Sequence, residues 1–322
     1  MAFLTAIQSI IIIIFIIGLG YTLKRLNWFD DKFGKGLSKM VIKVALPCAI
    51  FLSVLKHLKR NELLSLSDNL IFPAVTVIIA YIIAYILVKI LKIEPGRRGI
   101  FMNAIANTNV VSIGLPLNMA IFGADSMPYF LICYIVNTLS TWVFGVYLIN
   151  NDDPTKIGQE KVSQGINWKK LIPAPMIGLI VGIVFLLLDI PVPHVAMSIL
   201  SYLGGLVVPL SLIYVGIILA TAGLGSIKFD RDTIVALIGR FVIVPLIMLL
   251  VIVVTEKVLG IDMLPVLKGT LVVQSGVPML AVLPILATEA NGDVKYATNL
   301  LVSSTVLFIV VIPVLMEVLQ YI

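Results

Sequence analysis

The chain has 322 residues, of which 60% are hydrophobic and 12% charged, with a mean hydropathy of +1.12 and a formal net charge of +6. A water-soluble domain cannot carry that much apolar surface, so the composition excludes one and indicates a polytopic helical membrane protein. The basic balance does not point to nucleic acid, because Lys and Arg collect in the cytoplasmic loops of membrane proteins.

At about 20 residues per span, ten segments are predicted. The N-terminal M-A-F-L-T-A-I-Q-S lacks a basic region and its apolar run continues to Tyr21, so 5–23 reads as a first span rather than a cleaved signal. The next spans are 38–55, 69–91, 99–122 and 128–149. A polar stretch, N-N-D-D-P-T-K-I-G-Q-E-K-V-S-Q-G, follows at 150–165 and marks the midpoint. The second set is 170–188, 198–222, 233–256, 264–287 and 295–319. The expected layout is a first five-helix unit at 1–149, a cytoplasmic linker at 150–169 and a second five-helix unit at 170–322. Cys48 and Cys133 fall inside apolar segments and read as small core residues rather than a disulfide or metal pair.

Lys and Arg are unevenly shared between the two sides. The first, third, seventh and ninth connections and the linker hold 16 of the 23, among them Lys24, Arg25, Lys35, Arg97, Arg98 and Lys169. The opposite side holds Lys56, Lys59, Arg60, Lys257 and Lys268. The positive-inside rule then puts the linker in the cytoplasm and both termini outside, in a multi-pass protein of the cell membrane.

The two halves share marks at one separation. Pro47 and Pro209, Gly114-Leu-Pro116 and Gly276-Val-Pro278, and Tyr134-x-x-Asn137 and Tyr296-x-x-Asn299 are each 162 positions apart. Five spans per half force the second copy to enter the membrane from the other side. That is an inverted repeat, whose site lies where discontinuous helices meet.

The fourth segment carries Asn103, Asn107, Thr108, Asn109 and Ser112 before Gly114 and Pro116, and the ninth carries Gln274 and Ser275 before Gly276 and Pro278. Proline inside a helix removes a donor and clashes with the preceding turn. Broken backbone at membrane depth is tolerated only where protein buries it or where it lines a cavity. A half-helix is expected to begin after each Gly-x-Pro, and two such N-termini would suit a carboxylate. The alternative is a pair of kinked helices whose Asn, Gln and Ser bond their neighbours. Asn137 and Asn299, deep in the fifth and tenth segments, either line the same cavity or bond between helices. Arg240, about seven residues into the eighth segment, either attracts an anion or bonds carbonyls freed by the ninth-segment break.

No Asp or Glu stands in the interior of the fourth, fifth, ninth or tenth segment, Glu317 lying at the very end of the tenth, so buried carboxylates for a proton or sodium relay are missing there. Sodium held by carbonyls, Asn and Ser stays open. No catalytic set, zinc cluster, phosphate loop or dinucleotide fingerprint is present, so no enzyme, metal or cofactor is expected.

At N-T-N-V-V-S-I-G-L-P (107–116), L-P-C-A-I-F (46–51), G-R-F-V-I-V-P (239–245) and Q-S-G-V-P-M (274–279) the chain resembles the auxin efflux carrier family, including its prokaryotic malate permease-like members. The resemblance covers essentially the whole chain. It implies an all-α fold of ten transmembrane helices in two inverted five-helix repeats, with broken helices 4 and 9 crossing in an X. It also implies a scaffold of helices 1, 2, 6 and 7, often dimeric, a moving transport unit of the others, and a site around Pro116 and Pro278. The linker is short where plant members carry a long regulated loop, so the implied cargo is a small organic anion, whether a dicarboxylate or an auxin-like carboxylate. A coupling ion, sodium or proton, is not fixed by the sequence. A non-transporting membrane receptor or scaffold is the competing class.

Overall fold

The computed structural model describes residues 2–57, 67–123, 126–156, 174–222 and 228–318. All regular structure among them is helical. The segments are α1 (Ala2–Arg25), α2 (31–57), α3 (67–91), α4 (Arg98–Ala106), α5 (110–122) and α6 (127–151) in the first half. The second half contains α7 (Ala174–Leu187), α8 (194–222), α9 (231–257), α10 (Pro265–Ser275), α11 (Leu283–Glu289) and α12 (Val294–Val318). Much of the linker, with Lys161 and Lys169, and the Lys59–Arg60 pair lie outside the described residues.

Five of these helices are long and apolar enough to cross a bilayer: those spanning Lys32–Lys56, Asp68–Leu91, Pro128–Asn151, His194–Thr221 and Arg231–Lys257. α3 shows why such a sequence belongs in lipid. Its inward face carries Pro73, Thr76, Ala80, Ala84 and Val88, all buried. Its other face carries Ile78, Ile82, Tyr85 and Ile90, each more than half exposed. A helix that is apolar all round, with small residues inward and bulky ones outward, packs on protein through the first and faces hydrocarbon with the second. It stops at Lys92, which takes a left-handed φ of 52°.

Four helices contain a single wider π turn, at Val41–Ala45, Val110–Gly114, Ser140–Gly145 and Gly239–Ile243. Three of these end two residues before a proline: Pro47, Pro116 and Pro245. The wider turn accommodates the missing N–H and relieves the crowding that proline imposes on the turn before it, so the helix runs on instead of breaking. This moves the expected break in the fourth segment. Helix ends at Ala106, residues 107–109 are non-helical with Asn107 extended, and the chain is helical again through Gly114 and Pro116. In the ninth segment the break spans 276–282, so Gly276 and Pro278 lie inside it.

Helix starts taken in order in the two halves, from α2 and α8 onward, stand between 163 and 173 positions apart. α4 and α10 start at 98 and 265, and α6 and α12 at 127 and 294, both 167 apart. At that offset Asn107-Thr108-Asn109 aligns with Gln274-Ser275-Gly276, and Asn137 with Ser304 rather than Asn299.

α1 lies along α8 and α2 along α7, both at close range. A Cβ on Gly216 would meet the Ile17 carbonyl and sit 2.6 Å from the Tyr21 nitrogen, and one on Gly178 would meet the Pro47 carbonyl. These glycines set helix separation by letting backbones touch. Gly216→Val is therefore expected to cost at least about 1–3 kcal/mol, the usual range for overpacking, read as a lower Tm in detergent. An unchanged Tm would show that the α1–α8 contact is not set there.

The N-terminal ends of α4, α9 and α12 meet around Arg97. Its guanidinium lies 2.7 Å from Asp293 and 3.2 Å from Asp230, with its carbon 4.7 Å from the Tyr296 ring centre. Asp230 caps α9 by accepting from the Thr233 amide at 2.8 Å. Burial pushes the Asp230 carboxyl upward, but the bonds from Thr233 and the Arg97 charge outweigh it and hold it below its ordinary value.

Candidate functional site

The two breaks touch through their main chains. The Asn109 amide donates to the Pro278 carbonyl at 2.8 Å, which joins 107–109 directly to 276–282. Gln274 adds a second tie, its Nε2 donating to the Gly114 carbonyl at 3.0 Å. Gly114 is small enough to permit it, since a Cβ there would strike the Gln274 side chain.

An interrupted helix leaves backbone groups without partners, and neighbouring helices must supply them. α6 supplies the first set. Asn137 Oδ1 accepts from the Thr108 amide at 2.8 Å while its Nδ2 donates to the Thr108 carbonyl at 3.2 Å. One carboxamide thus satisfies both polar groups of one residue. In the second break Ser304 Oγ of α12 accepts from the Met279 amide at 3.3 Å. Asn107 is wholly buried and spends itself elsewhere: it donates to Tyr81 Oη and Asn103 Oδ1, each at 2.7 Å, and accepts from Ser140 Oγ at 2.6 Å.

Arg240, fully buried, reaches both C-terminal ends. One nitrogen donates to the Ile105 carbonyl at 2.7 Å, in the last turn of α4, and another to the Ser275 carbonyl that ends α10. A cation at a helix C-terminus opposes the negative end of the dipole and pairs the orphan carbonyls. Of its two readings from sequence, the geometry matches the carbonyl-bonding one. Arg240 sits beside a narrow space of about 40 Å³ that Gln274 and Ser275 also line.

A larger cavity of about 170 Å³ opens on the other side of the crossing. One wall is Leu46, Ala49 and Ile50 of α2 with Gly204, Val207, Val208 and Ser211 of α8. The other is 108–110, 280–282 and, from α6, Tyr134, Asn137, Thr138, Thr141 and Trp142. Among the described residues no charged side chain lines it. Two of its hydroxyls, Thr141 Oγ1 and Ser211 Oγ, are buried without a hydrogen-bond partner in the protein. The first turn of α5 begins at this wall, and its leading amides carry partial positive charge. α11 has only seven residues, so the second helix end expected at the site is a weaker dipole.

Of the residues singled out from sequence, Asn109 and Asn137 line this cavity. Gln274, Gly114 and Pro278 hold the crossing together, and Asn107 and Ser275 support it from behind. Gly276 keeps the break tight against α12, because a Cβ there would lie 2.6 Å from a Leu315 methyl. The side chains of Ser112 and Pro116 lie outside the described residues. Asn299 belongs to a different place: its Nδ2 donates to the Lys228 carbonyl at 2.6 Å and to Thr233 Oγ1 at 3.1 Å, beside the start of α9. Ser211 and Tyr81 were not anticipated. Each stands between apolar neighbours, Tyr81 between Ala80 and Ile82 and Ser211 between Leu210 and Leu212, with no motif around it in the sequence.

The chain matches the family described as Membrane transport protein over residues 5–316. It belongs to that family. The auxin efflux carrier resemblance drawn from the sequence motifs is this same membership. An uncharacterized transporter of Methanothermobacter thermautotrophicus is 26% identical over 97% of this chain and 98% of its own length. An uncharacterized transporter of Methanocaldococcus jannaschii is 23% identical over 94% and 95%. For a membrane transport protein the crossing has the expected form, with broken backbone held by protein on one side and facing a cavity on the other.

Proposed function

We propose that this membrane transport protein carries small organic anions by alternating access, with the cargo held in the 170 Å³ cavity beside the crossing. The observation that carries the reading is the division of labour around the breaks. Arg240 neutralises the C-terminal ends of α4 and α10 on one side, while the start of α5 faces the cavity on the other. A carboxylate there would find amide, carboxamide and hydroxyl donors and, among the described residues, no competing acidic side chain. Leu46, Ile50 and Trp142 offer apolar surface to the rest of the molecule.

In this reading the halves are inverted five-helix repeats. α1, α2, α7 and α8 form the scaffold and the remaining helices move as one unit in an elevator-like motion. The cavity wall supports that division, because it is built half from α2 and α8 and half from the crossing and α6. Sliding one wall past the other would carry the cargo with the crossing.

Ala49→Trp tests the reading. The indole would fill the cavity from the scaffold side, so saturable uptake of carboxylates into proteoliposomes should be lost with Tm within a few degrees of the parent. Stabilisation of the parent protein by the same carboxylates should follow mass action and vanish in the variant. Flux that survives Ala49→Trp would rule out this cavity as the cargo site.

A further inference from the structure

A second, larger space lies between α3 and α6, on the far side of Asn107 from the crossing. It measures about 550 Å³. Ile78 and Ile82 of α3 and Phe144 of α6 form its rim and are each more than half exposed, so it opens sideways from the protein rather than toward the cargo cavity. Both flanking helices are among those long and apolar enough to span a bilayer, so the opening faces lipid.

The chemistry of the wall is almost purely hydrocarbon. The polar groups that reach it from the inner side are Tyr81 and Ser140. Both are already engaged with Asn107, Tyr81 Oη accepting from its Nδ2 and Ser140 Oγ donating to its Oδ1. A polar ligand would find no free partner there, whereas an acyl chain needs none.

One end of the groove is different. Tyr85 and Tyr147, both more than half exposed, stand near the cytoplasmic ends of α3 and α6. Lys89, one turn beyond Tyr85, places its ammonium 5.5 Å from that ring centre. Among the described residues Lys89 has no carboxylate within ion-pair distance, and it is exposed. Tyrosines and a lysine at the end of an apolar groove match a lipid at its headgroup level, and a lone cation there favours an anionic one.

We infer that the α3–α6 groove is a binding site for an anionic phospholipid of the cytoplasmic leaflet, one acyl chain lying against Ile78, Ile82 and Phe144 and the headgroup phosphate on Lys89. The site is separate from the cargo cavity and does not depend on what the protein carries. Its inner wall is the Tyr81–Asn107–Ser140 cluster, so an occupant would press on the residues that anchor the first break.

The test uses the intact protein in mild detergent with phosphatidylglycerol bearing a photoactivatable group in its acyl chain. After irradiation, label should concentrate on peptides covering 74–85 and 136–148. Unlabelled phosphatidylglycerol should compete several-fold better than phosphatidylcholine. Ile82→Trp, which fills the groove, should remove that label while leaving labelling of the lipid-facing 246–254 stretch of α9 as a folding and exposure control. Lys89→Glu should abolish the preference for the anionic lipid and keep the chain-dependent label. Label spread evenly over α3, α6 and α9 and unmoved by Ile82→Trp would overturn the site. Equal competition by the two lipids in the parent protein would overturn the assignment to an anionic headgroup.

Discussion

Arg240→Ala should lower stability by about 3–6 kcal/mol, the sum expected when two hydrogen bonds to a charged group are lost. The loss is large because one side chain serves both the Ile105 and the Ser275 carbonyls, which end the helices on either side of the crossing. The measurement is Tm in detergent together with protease resistance, each with and without added carboxylate. Arg240→Lys should recover only part of the loss, because a single ammonium cannot present a planar fork to two carbonyls at once. The alternative role, direct attraction of cargo, makes the opposite forecast. Arg240→Ala would then weaken uptake while leaving the empty protein as stable as the parent.

The second large effect is expected at Asn137, and it separates the sign of the cargo. Asn137→Leu orphans the Thr108 amide and carbonyl, at about 1–3 kcal/mol for each group left buried without a partner. Asn137→Asp keeps the acceptor for the Thr108 amide but brings a carboxylate to the edge of the cavity. For an anionic cargo the apparent KM should rise about tenfold or more, since each 1.4 kcal/mol of repulsion is a factor of ten. A cationic cargo would bind more tightly to Asn137→Asp, and that result would end the organic-anion reading.

Much of the fold was legible because its cause is local. A run of about 20 apolar residues favours a membrane helix whatever its neighbours do, so the five described helices long enough to span fall over the segments that hydropathy marked. The breaks were harder. A proline and a glycine mark strain, but they do not say whether the helix stops or takes a wider turn. At Pro116 it takes the wider turn, and the stop moves upstream to Asn107-Thr108-Asn109, where α6 offers a carboxamide to pair the exposed backbone. That choice depends on a residue about thirty positions away in sequence, which no local pattern reveals.

The same limit explains Asn299. The shared marks stand 162 apart, whereas α4 and α10, and α6 and α12, start 167 apart and α5 and α11 start 173 apart. Asn137 pairs the backbone of the first break, whereas Asn299 bonds beside the start of α9 and Ser304 accepts from the Met279 amide of the second break. Ser211 was invisible for another reason. A serine between leucines has no periodicity to break, and only the cavity on the opposite side gives its hydroxyl a meaning.

The bond from the Asn109 amide to the Pro278 carbonyl uses no side-chain atom. Side-chain change at either position therefore leaves this join untouched, and the chemistry of the neighbouring cavity is free to diverge around it. Proline at 109 is the one natural substitution that deletes the donor itself. The side chains that face the cavity can thus be exchanged while the same backbone seam is kept.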